Sequence, residues 1–166
     1  RQSKTTVVFV THDMQEALRL GDRIGVIQDG CLLQVGNPEE IVQKPANSFV
    51  ADFIGESNIL NGVMVHDQLV SFCGHEFDCV DTGFGEQAQV DVVIRPEDID
   101  IVDVKDGKMT GEVLSVLFKG VHYEILIETE LRTYMVHTTD YAEVGREVGL
   151  KFGPEDIHVM CRMGRY

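Results

Sequence analysis

Residues 5–18 read Thr-Thr-Val-Val-Phe-Val-Thr-His-Asp-Met-Gln-Glu-Ala-Leu, and they set the expected fold class of the N-terminal third of the chain. The first six residues form a continuous apolar, β-branched run, which is typical of a strand buried on both faces of a parallel sheet. A polar triplet, residues 11–13, ends this run. A helix is expected to begin directly after the triplet. A strand, a polar turn and a helix in this order predict an α/β unit.

The predicted helix carries signals at both ends. Asp13 can cap its N-terminus, with Glu16 three positions further on. Gly21 stands where a left-handed residue would end it. Its apolar side chains recur at helical spacing and share one face: Met14, Ala17 and Leu18.

A hairpin and two short helices are predicted next. Residues 24–27 and 32–35 are short apolar runs separated by Asp29-Gly30, a pair that supplies the positive φ angles of a tight turn. Residues 37–43 begin with Asn-Pro, the preferred cap and first position of a helix. Residues 49–54 form a second short helix, and the glycine that follows is expected to end it.

From about Ser57 the helical period disappears and short alternating runs replace it. Gly-containing turns at residues 83–86, 106–107 and 119–120 separate these runs, so a compact all-β barrel or sandwich is expected. Small and polar residues at 55–58 mark the boundary, which predicts one domain over 1–56 and another over 57–166. The predicted strands cover residues 59–65, 68–73, 90–94, 112–116, 123–127 and 134–136.

Composition limits the classes of function. The chain has 166 residues, 43% of them hydrophobic, and a formal net charge of −14, which describes a water-soluble globular protein with an acidic surface. Nucleic acids and anionic lipids need clustered cations, so neither is an expected partner. No apolar run approaches the ~20 residues of a membrane-spanning helix, so insertion into a bilayer is not expected. Four cysteines without a CxxC pair favour a reducing cytosol, and the absence of an initiator Met suggests a piece of a longer protein.

His12 is the residue whose predicted position points most directly to chemistry. It lies between the end of a predicted buried strand and the start of a helix, which in an open α/β sheet is the rim where phosphate-bearing ligands bind. A neutral imidazole there could hydrogen-bond a terminal phosphate and help to align an attacking water. The alternative is a loop histidine bonded to a neighbouring main chain.

The N-terminal third resembles the switch-histidine region of ATPases that drive ABC importers. The resemblance is an ordered series rather than a single motif. It runs through residues 5–18, 22–27, 29–30, 34–41 and 49–55.

The rest of the chain resembles TOBE, the OB-like domain found at the C-terminus of a subclass of these ATPases. The segment that marks it most clearly is 94–99, Ile-Arg-Pro-Glu-Asp-Ile, and residues 111–113 and 153–159 support it. The Phe-Ile-Gly-Glu-Ser-Asn stretch at 53–58 and the Arg-Pro-Glu-Asp segment look most like the spermidine/putrescine importers of the family.

The resemblance implies an architecture and a function. The expected fold is the end of an α/β, P-loop-type ATPase domain followed by an OB-like barrel. The family couples ATP hydrolysis, with Mg²⁺, to solute uptake through membrane permease subunits at the cytoplasmic face of the membrane. Family ATPases act as homodimers, in which His12 is implied to contact the γ-phosphate. A non-enzymatic OB-like module that binds a regulatory ligand or a twin chain is the rival interpretation.

The chain departs from a complete family ATPase in its motifs. It contains no GxxxxGK[ST] phosphate loop, no signature of the LSGGQ kind and no strand that ends in the catalytic glutamate. The backbone amides and lysine of the phosphate loop are what cradle a triphosphate. The chain alone is therefore predicted neither to bind ATP tightly nor to hydrolyse it.

Arg95 and Glu97 are candidate interface residues. Pro96 between them cannot donate to a sheet ladder, so it marks a strand exit that would project both side chains sideways. The two could form a local ion pair at a turn or an interdomain contact.

Three further patterns have simpler interpretations, and no metal site is expected from them. Residues 83–88 fit a GxGxxA pattern but run into a strand, so an interstrand loop is predicted. Cys73, His75 and Cys79 lack the paired spacings of a zinc site. The carboxylates near residues 97–103 are expected on a solvated strand face, with Asp98 and Asp100 side by side. No serine is placed beside a histidine by any motif, so a separate hydrolase is not supported.

Overall fold

The structure is a computed structural model that describes residues 5–55 and 57–162. The chain divides into two compact units, Arg1–Ala46 and Asn47–Tyr166. The division precedes the third helix, whereas the change of sequence period lies at 55–58. That helix therefore belongs with the β-rich unit, although its sequence pattern resembles that of the first unit.

The described residues of unit 1, Arg1–Ala46, form two short helices and a hairpin. The hairpin is confirmed: Asp29 and Gly30 have φ angles of 49° and 78°, as a tight turn requires. α2 begins as predicted, because Asn37 and Glu40 form a reciprocal capping box behind the proline at its first turn. The elements are α1 (Met14–Leu20), β1 (Ile24–Gln28), β2 (Cys31–Gly36) and α2 (Pro38–Gln43).

Residues 5–10 are not a strand in this structure, and the prediction of a buried one is wrong here. All six are exposed, Val10 to 90%. A strand buried on both faces needs a neighbouring strand and covering helices. Within residues 5–55 and 57–162 none pairs with this segment.

The left-handed conformation expected at Gly21 is also wrong, because its φ angle is −79°, which any residue can adopt. Gly21 is needed for space instead, because a Cβ there would lie 2.9 Å from the carbonyl oxygen of Ala17. Gly55 ends the third helix, as predicted.

The described residues of unit 2, Asn47–Tyr166, form one α-helix, two short 3₁₀ helices and two five-stranded antiparallel sheets. Asn47 caps the helix, and its side chain accepts a hydrogen bond from the Val50 amide. The sheet orders are β10-β9-β8-β11-β7 and β12-β6-β3-β4-β5. The elements are α3 (Ser48–Ile54), β3 (Asn58–His66), β4 (Leu69–Phe72), β5 (His75–Asp78), β6 (Ala88–Ile94), β7 (Asp100–Val102), β8 (Met109–Phe118), β9 (Tyr123–Thr129), β10 (Thr133–Thr138), β11 (Glu147–Lys151) and β12 (His158–Cys161).

The all-β prediction made for residues 57–166 is confirmed over the described residues 57–162, and all six predicted strands are present. The strands that the sequence did not predict are β5, β7, β11 and β12. They have three to five residues each, which is too short for a clear alternation. The expected turn at 106–107 is a 3₁₀ helix, Val104–Asp106, followed by a glycine with a negative φ angle.

Both sheets contribute to one core. Val92, Ile94 and Val70 from one sheet lie in the same buried cluster as Ile125 and Val136 from the other. The edges of the second sheet, β12 and β5, are linked by a side chain. Asp81, just beyond β5, accepts a hydrogen bond of 2.8 Å from the Val159 amide of β12.

Candidate functional site

His12 is exposed in a turn that its neighbours hold in place. The Thr11 hydroxyl accepts from the Asp13 amide at 3.0 Å and donates to the Glu16 carboxylate at 2.9 Å. The Asp13 carboxylate in turn accepts from the Glu16 amide at 3.0 Å. This network fixes the backbone on both sides of His12. No hydrogen bond joins the imidazole to another residue in 5–55 or 57–162, so the ring is accessible to a ligand.

The residues around His12 do not by themselves fit ATP and Mg²⁺. Helix α1 has seven residues, and Asp13 already bonds the Glu16 amide in its first turn. The described residues hold no group of three His, Cys, Asp or Glu side chains that could bind a metal ion. An open groove of about 560 Å³ lies over β2 and α2, but the carboxylates of Glu39 and Glu40 line it beside a single cation, Lys44, so its net charge does not favour phosphate. In this unit, His12 is the residue for which the sequence predicts a contact with a nucleotide.

Arg95 and Glu97 lie at the exit of β6, where the sequence placed them. Pro96 is buried and Glu97 is exposed, while Arg95 is half-buried. Burial raises the pKa of the Asp98 carboxyl above its ordinary value, and the charge of Glu97 adds to this, whereas the Arg95 guanidinium opposes it. Arg95 therefore acts electrostatically on Asp98.

Asp98 and Asp100 do not lie side by side on a strand, so that expectation is wrong. Asp98 ends a 3₁₀ helix, Pro96–Asp98, and is half-buried, and the strand begins only at the exposed Asp100. The physical reason is Pro96, whose fixed φ angle favours a turn at this point.

A second turn with the same sequence lies at 154–157, and both read Pro-Glu-Asp-Ile. In each turn the aspartate amide bonds the carbonyl three residues earlier, at 3.1 Å for Asp98 and 3.2 Å for Asp156. The isoleucines that follow, Ile99 and Ile157, are 2% and 1% exposed. The charge of Asp156 also raises the pKa of Asp98, so the turns are close together. The repeated tetrapeptide was a signal of this pairing that the sequence interpretation missed.

The other candidate patterns form no site. Cys73 Sγ lies 3.4 Å from the Tyr134 hydroxyl, Cys79 is buried in the core, and His75 is exposed. These side chains form no metal centre among the described residues. Residues 83–87 lie in the loop that links β5 to β6, as predicted, and Ala88 begins β6.

The β-rich unit and the whole chain both match known proteins. Residues 92–160 match the family model of the TOBE domain. The chain is 55% identical, over 158 residues, to the spermidine/putrescine import ATP-binding protein PotA of Desulfitobacterium hafniense strain Y51. It is 54% identical, over 155 residues, to the protein of the same name from Clostridium acetobutylicum. These matches cover 95% and 93% of the chain. The similarity relates more than nine-tenths of the chain to import ATP-binding proteins, and residues 92–160 to the TOBE domain.

The relatives named above are longer proteins. The chain covers 45% of the D. hafniense protein and 44% of the C. acetobutylicum protein, so it spans less than half of their length. A solved structure of the cytoplasmic molybdate-binding protein ModG, with molybdate bound, matches 63% of the chain with a TM-score of 0.56 and 11% identity. That likeness concerns the fold alone and agrees with an OB-like barrel. None of the described helices is long and apolar enough to cross a membrane.

Proposed function

We propose that this chain is the C-terminal part of the ATP-hydrolysing subunit of an ABC importer that takes up polyamines. The observation that carries the proposal is sequence identity to relatives named for spermidine/putrescine import. The identity is 55% and 54% in alignments that cover more than nine-tenths of the chain. In this proposal residues 1–56 end an α/β nucleotide-binding domain, and residues 57–166 form its regulatory TOBE domain.

The exposed apolar segment supports this assignment of residues 1–56. Val7, Val8 and Phe9 are 79%, 84% and 56% exposed, and Ile27 and Leu32 of the hairpin are 65% and 62% exposed. Apolar surface of this extent is costly in water unless another part of the protein covers it. In the proposed ATPase, residues 5–10 form a strand whose neighbours belong to the longer polypeptide.

His12 is the proposed catalytic residue of this subunit. Its imidazole would bond the γ-phosphate of ATP, and the Thr11–Asp13–Glu16 network would hold it in place. ATP and Mg²⁺ are the proposed cofactors of the longer protein, whose remaining residues would supply the phosphate cradle and the metal ligands. Its proposed partners are a second ATPase subunit and membrane permease subunits, at the cytoplasmic face of the membrane.

Substitution of His12 in the longer protein tests the proposal. With the permease subunits present, His12→Ala should lower the rate of ATP hydrolysis by about 100-fold, because loss of one positioned polar group at the transition state has this effect. His66→Ala, at an exposed histidine of β3, is the matched control and should leave the rate unchanged. Equal rates for the two variants would contradict the role of His12.

The alternative function is a regulatory or dimerisation module. The separate core of unit 2 favours it, because such a domain can act without the ATPase part. Here Arg95 and Glu97 would form the interdomain contact. Glu97→Lys should then weaken the association of two copies of the chain, measured by sedimentation-equilibrium centrifugation. Its melting temperature should stay within a few degrees of that of the native chain. An unchanged mass distribution would contradict an interface at Glu97.

A further inference from the structure

The segment that leads out of unit 1, residues 44–46, is hydrogen-bonded by the side chain of Gln34. Gln34 lies on β2 and is half-buried. Its Nε2 donates to the Lys44 carbonyl oxygen at 2.9 Å, and its Oε1 accepts from the Ala46 amide at 2.7 Å. The carboxamide thus pairs with the backbone on both sides of Pro45, in the manner of one residue in a β-ladder.

The backbone of residues 44–46 explains why a side chain can do this. The Lys44 amide already donates to the Glu40 carbonyl oxygen at 2.9 Å and Pro45 has no amide hydrogen, so the Ala46 amide is the one backbone donor that this segment can offer to β2. A glutamine side chain has a donor and an acceptor at one end, which matches the carbonyl and the amide on the two sides of the proline. Glutamate would keep the acceptor and lose the donor, and methionine would lose both.

The residues that follow are anchored in unit 2. Asn47 is 8% exposed, and its side chain accepts from the Val50 amide at 2.9 Å. The Ser48 hydroxyl donates to the Asp91 carboxylate of β6 at 2.8 Å. The hydrogen-bonded anchors of the two units therefore leave a single peptide, Ala46–Asn47, between them.

We propose that Gln34 is a positioning residue that fixes the point at which the chain leaves unit 1. The pivot for movement between the two units is then confined to the Ala46–Asn47 peptide. This role follows from the hydrogen bonds at both ends of the connecting segment, and it does not depend on the function proposed above.

The native cysteines allow a direct measurement. Cys31 is exposed on unit 1 and Cys161 is exposed on unit 2, whereas Cys79 is buried. Spin labels on Cys31 and Cys161, in a Cys73→Ser background, report the distribution of distances between the units. Gln34→Met should broaden this distribution at least twofold, because residues 44–46 are released and more peptide bonds can rotate.

Amide hydrogen exchange supplies a second readout. In Gln34→Met, exchange of the Ala46 amide should accelerate about tenfold or more, because its acceptor is gone. The Val50 amide, bonded by Asn47, should keep its rate. Gln43→Met is the matched control: it removes the same chemical group from α2, where Gln43 donates to Glu39.

The outcomes separate a positioning role from a merely structural one. Unchanged distances and exchange in Gln34→Met would overturn the proposal, and so would acceleration of the Ala46 and Val50 amides together, which would indicate general loosening. Gln34→Glu keeps the acceptor for Ala46 and should broaden the distances less than Gln34→Met. It provides the test if the methionine variant does not fold, and a distribution as narrow as that of the native chain would then count against Gln34.

Discussion

Asn58 uses its side chain as Gln34 does, but between two sheets. It is 3% exposed at the start of β3. Its Nδ2 donates to the Met135 carbonyl at 2.8 Å, and its Oδ1 accepts from the Met135 amide at 2.8 Å. Nδ2 also lies 3.3 Å from the Ile94 carbonyl oxygen. One carboxamide thus bonds the backbone of the edge strand β10 to a strand of the other sheet.

Removal of this carboxamide should destabilise the unit. Asn58→Ala leaves the amide and carbonyl of Met135 without partners, and a buried unsatisfied polar group costs roughly 1–3 kcal/mol. We expect the free energy of unfolding in urea to fall by about 2–4 kcal/mol. Asn61→Ala, at an exposed position of the same strand, is the control and should change it by less than about 0.5 kcal/mol. A similar small loss for both variants would show that the Met135 contacts contribute little.

At the scale of the element, the two Pro-Glu-Asp-Ile turns carry the chain between the sheets. The first links β6 to β7, and the second leads from β11 back to β12. β6 pairs with β12 and β7 pairs with β11, so each turn joins two strands that belong to different sheets. The close carboxylates of the turns follow from this double crossing.

The position of Asp98 in the first of these turns makes the free energy of unfolding depend on pH. Burial, and then the charges of Glu97 and Asp156, raise the pKa of Asp98 above its ordinary value of 3.8. The folded state therefore binds this proton more tightly than the unfolded state, so stability falls as the pH rises above about 4 through the raised folded pKa. In Asp98→Asn the side chain does not ionise, so this loss of stability does not occur. Its free energy of unfolding relative to the native chain should increase from about pH 4 to about pH 7 in urea titrations.

The control for this measurement is Asp100→Asn, which changes an exposed carboxylate two residues along the chain. A relative stability of Asp98→Asn that stays constant or decreases over the same interval would show that the carboxyl of Asp98 does not resist ionisation in the folded state.

The contact between a 3₁₀ helix and β11 requires a glycine at position 149. The 3₁₀ helix Val104–Asp106 approaches β11 so closely that a Cβ on Gly149 would lie 2.6 Å from the Asp103 carbonyl oxygen and 3.0 Å from Gly107 Cα. Both neighbours are backbone atoms, which cannot rotate away.

Gly149→Ala should therefore force the two elements apart. We expect a loss of about 1–3 kcal/mol in the free energy of unfolding, the usual effect of overpacking. Gly55→Ala is the matched control, because nothing lies within 4 Å of a Cβ at that position. Differential scanning calorimetry should show a lower melting temperature for the first variant only. Equal melting temperatures would mean that β11 shifts at little cost.

At the scale of the whole molecule, the chain carries the histidine that we propose contacts ATP, but its sequence contains no phosphate loop. We therefore expect the 166-residue chain to show no ATP turnover, and its dissociation constant for ATP to exceed about 1 mM, because the amides and lysine that cradle the triphosphate are missing from its sequence. Isothermal titration and a phosphate-release assay check this. Turnover that persists after further purification would contradict the expectation.

The sequence by itself determined the features that depend on neighbouring residues. Asp29-Gly30 and Asn37-Pro38 favour a turn and a helix start through their own φ preferences. The alternating runs predicted six strands, and the ordered motifs predicted the family. These signals are local, because backbone preference and side-chain period act over a few residues.

Only the tertiary structure decided which distant groups meet. Residues 5–10 have the pattern of a buried strand and are nevertheless exposed, because a strand is stable only beside its neighbours. Asn58 meets Met135 across 77 positions, and Gln34 meets the backbone beyond α2. Their local sequence does not indicate these contacts, since a carboxamide can pair with any backbone amide and carbonyl that the fold brings within reach.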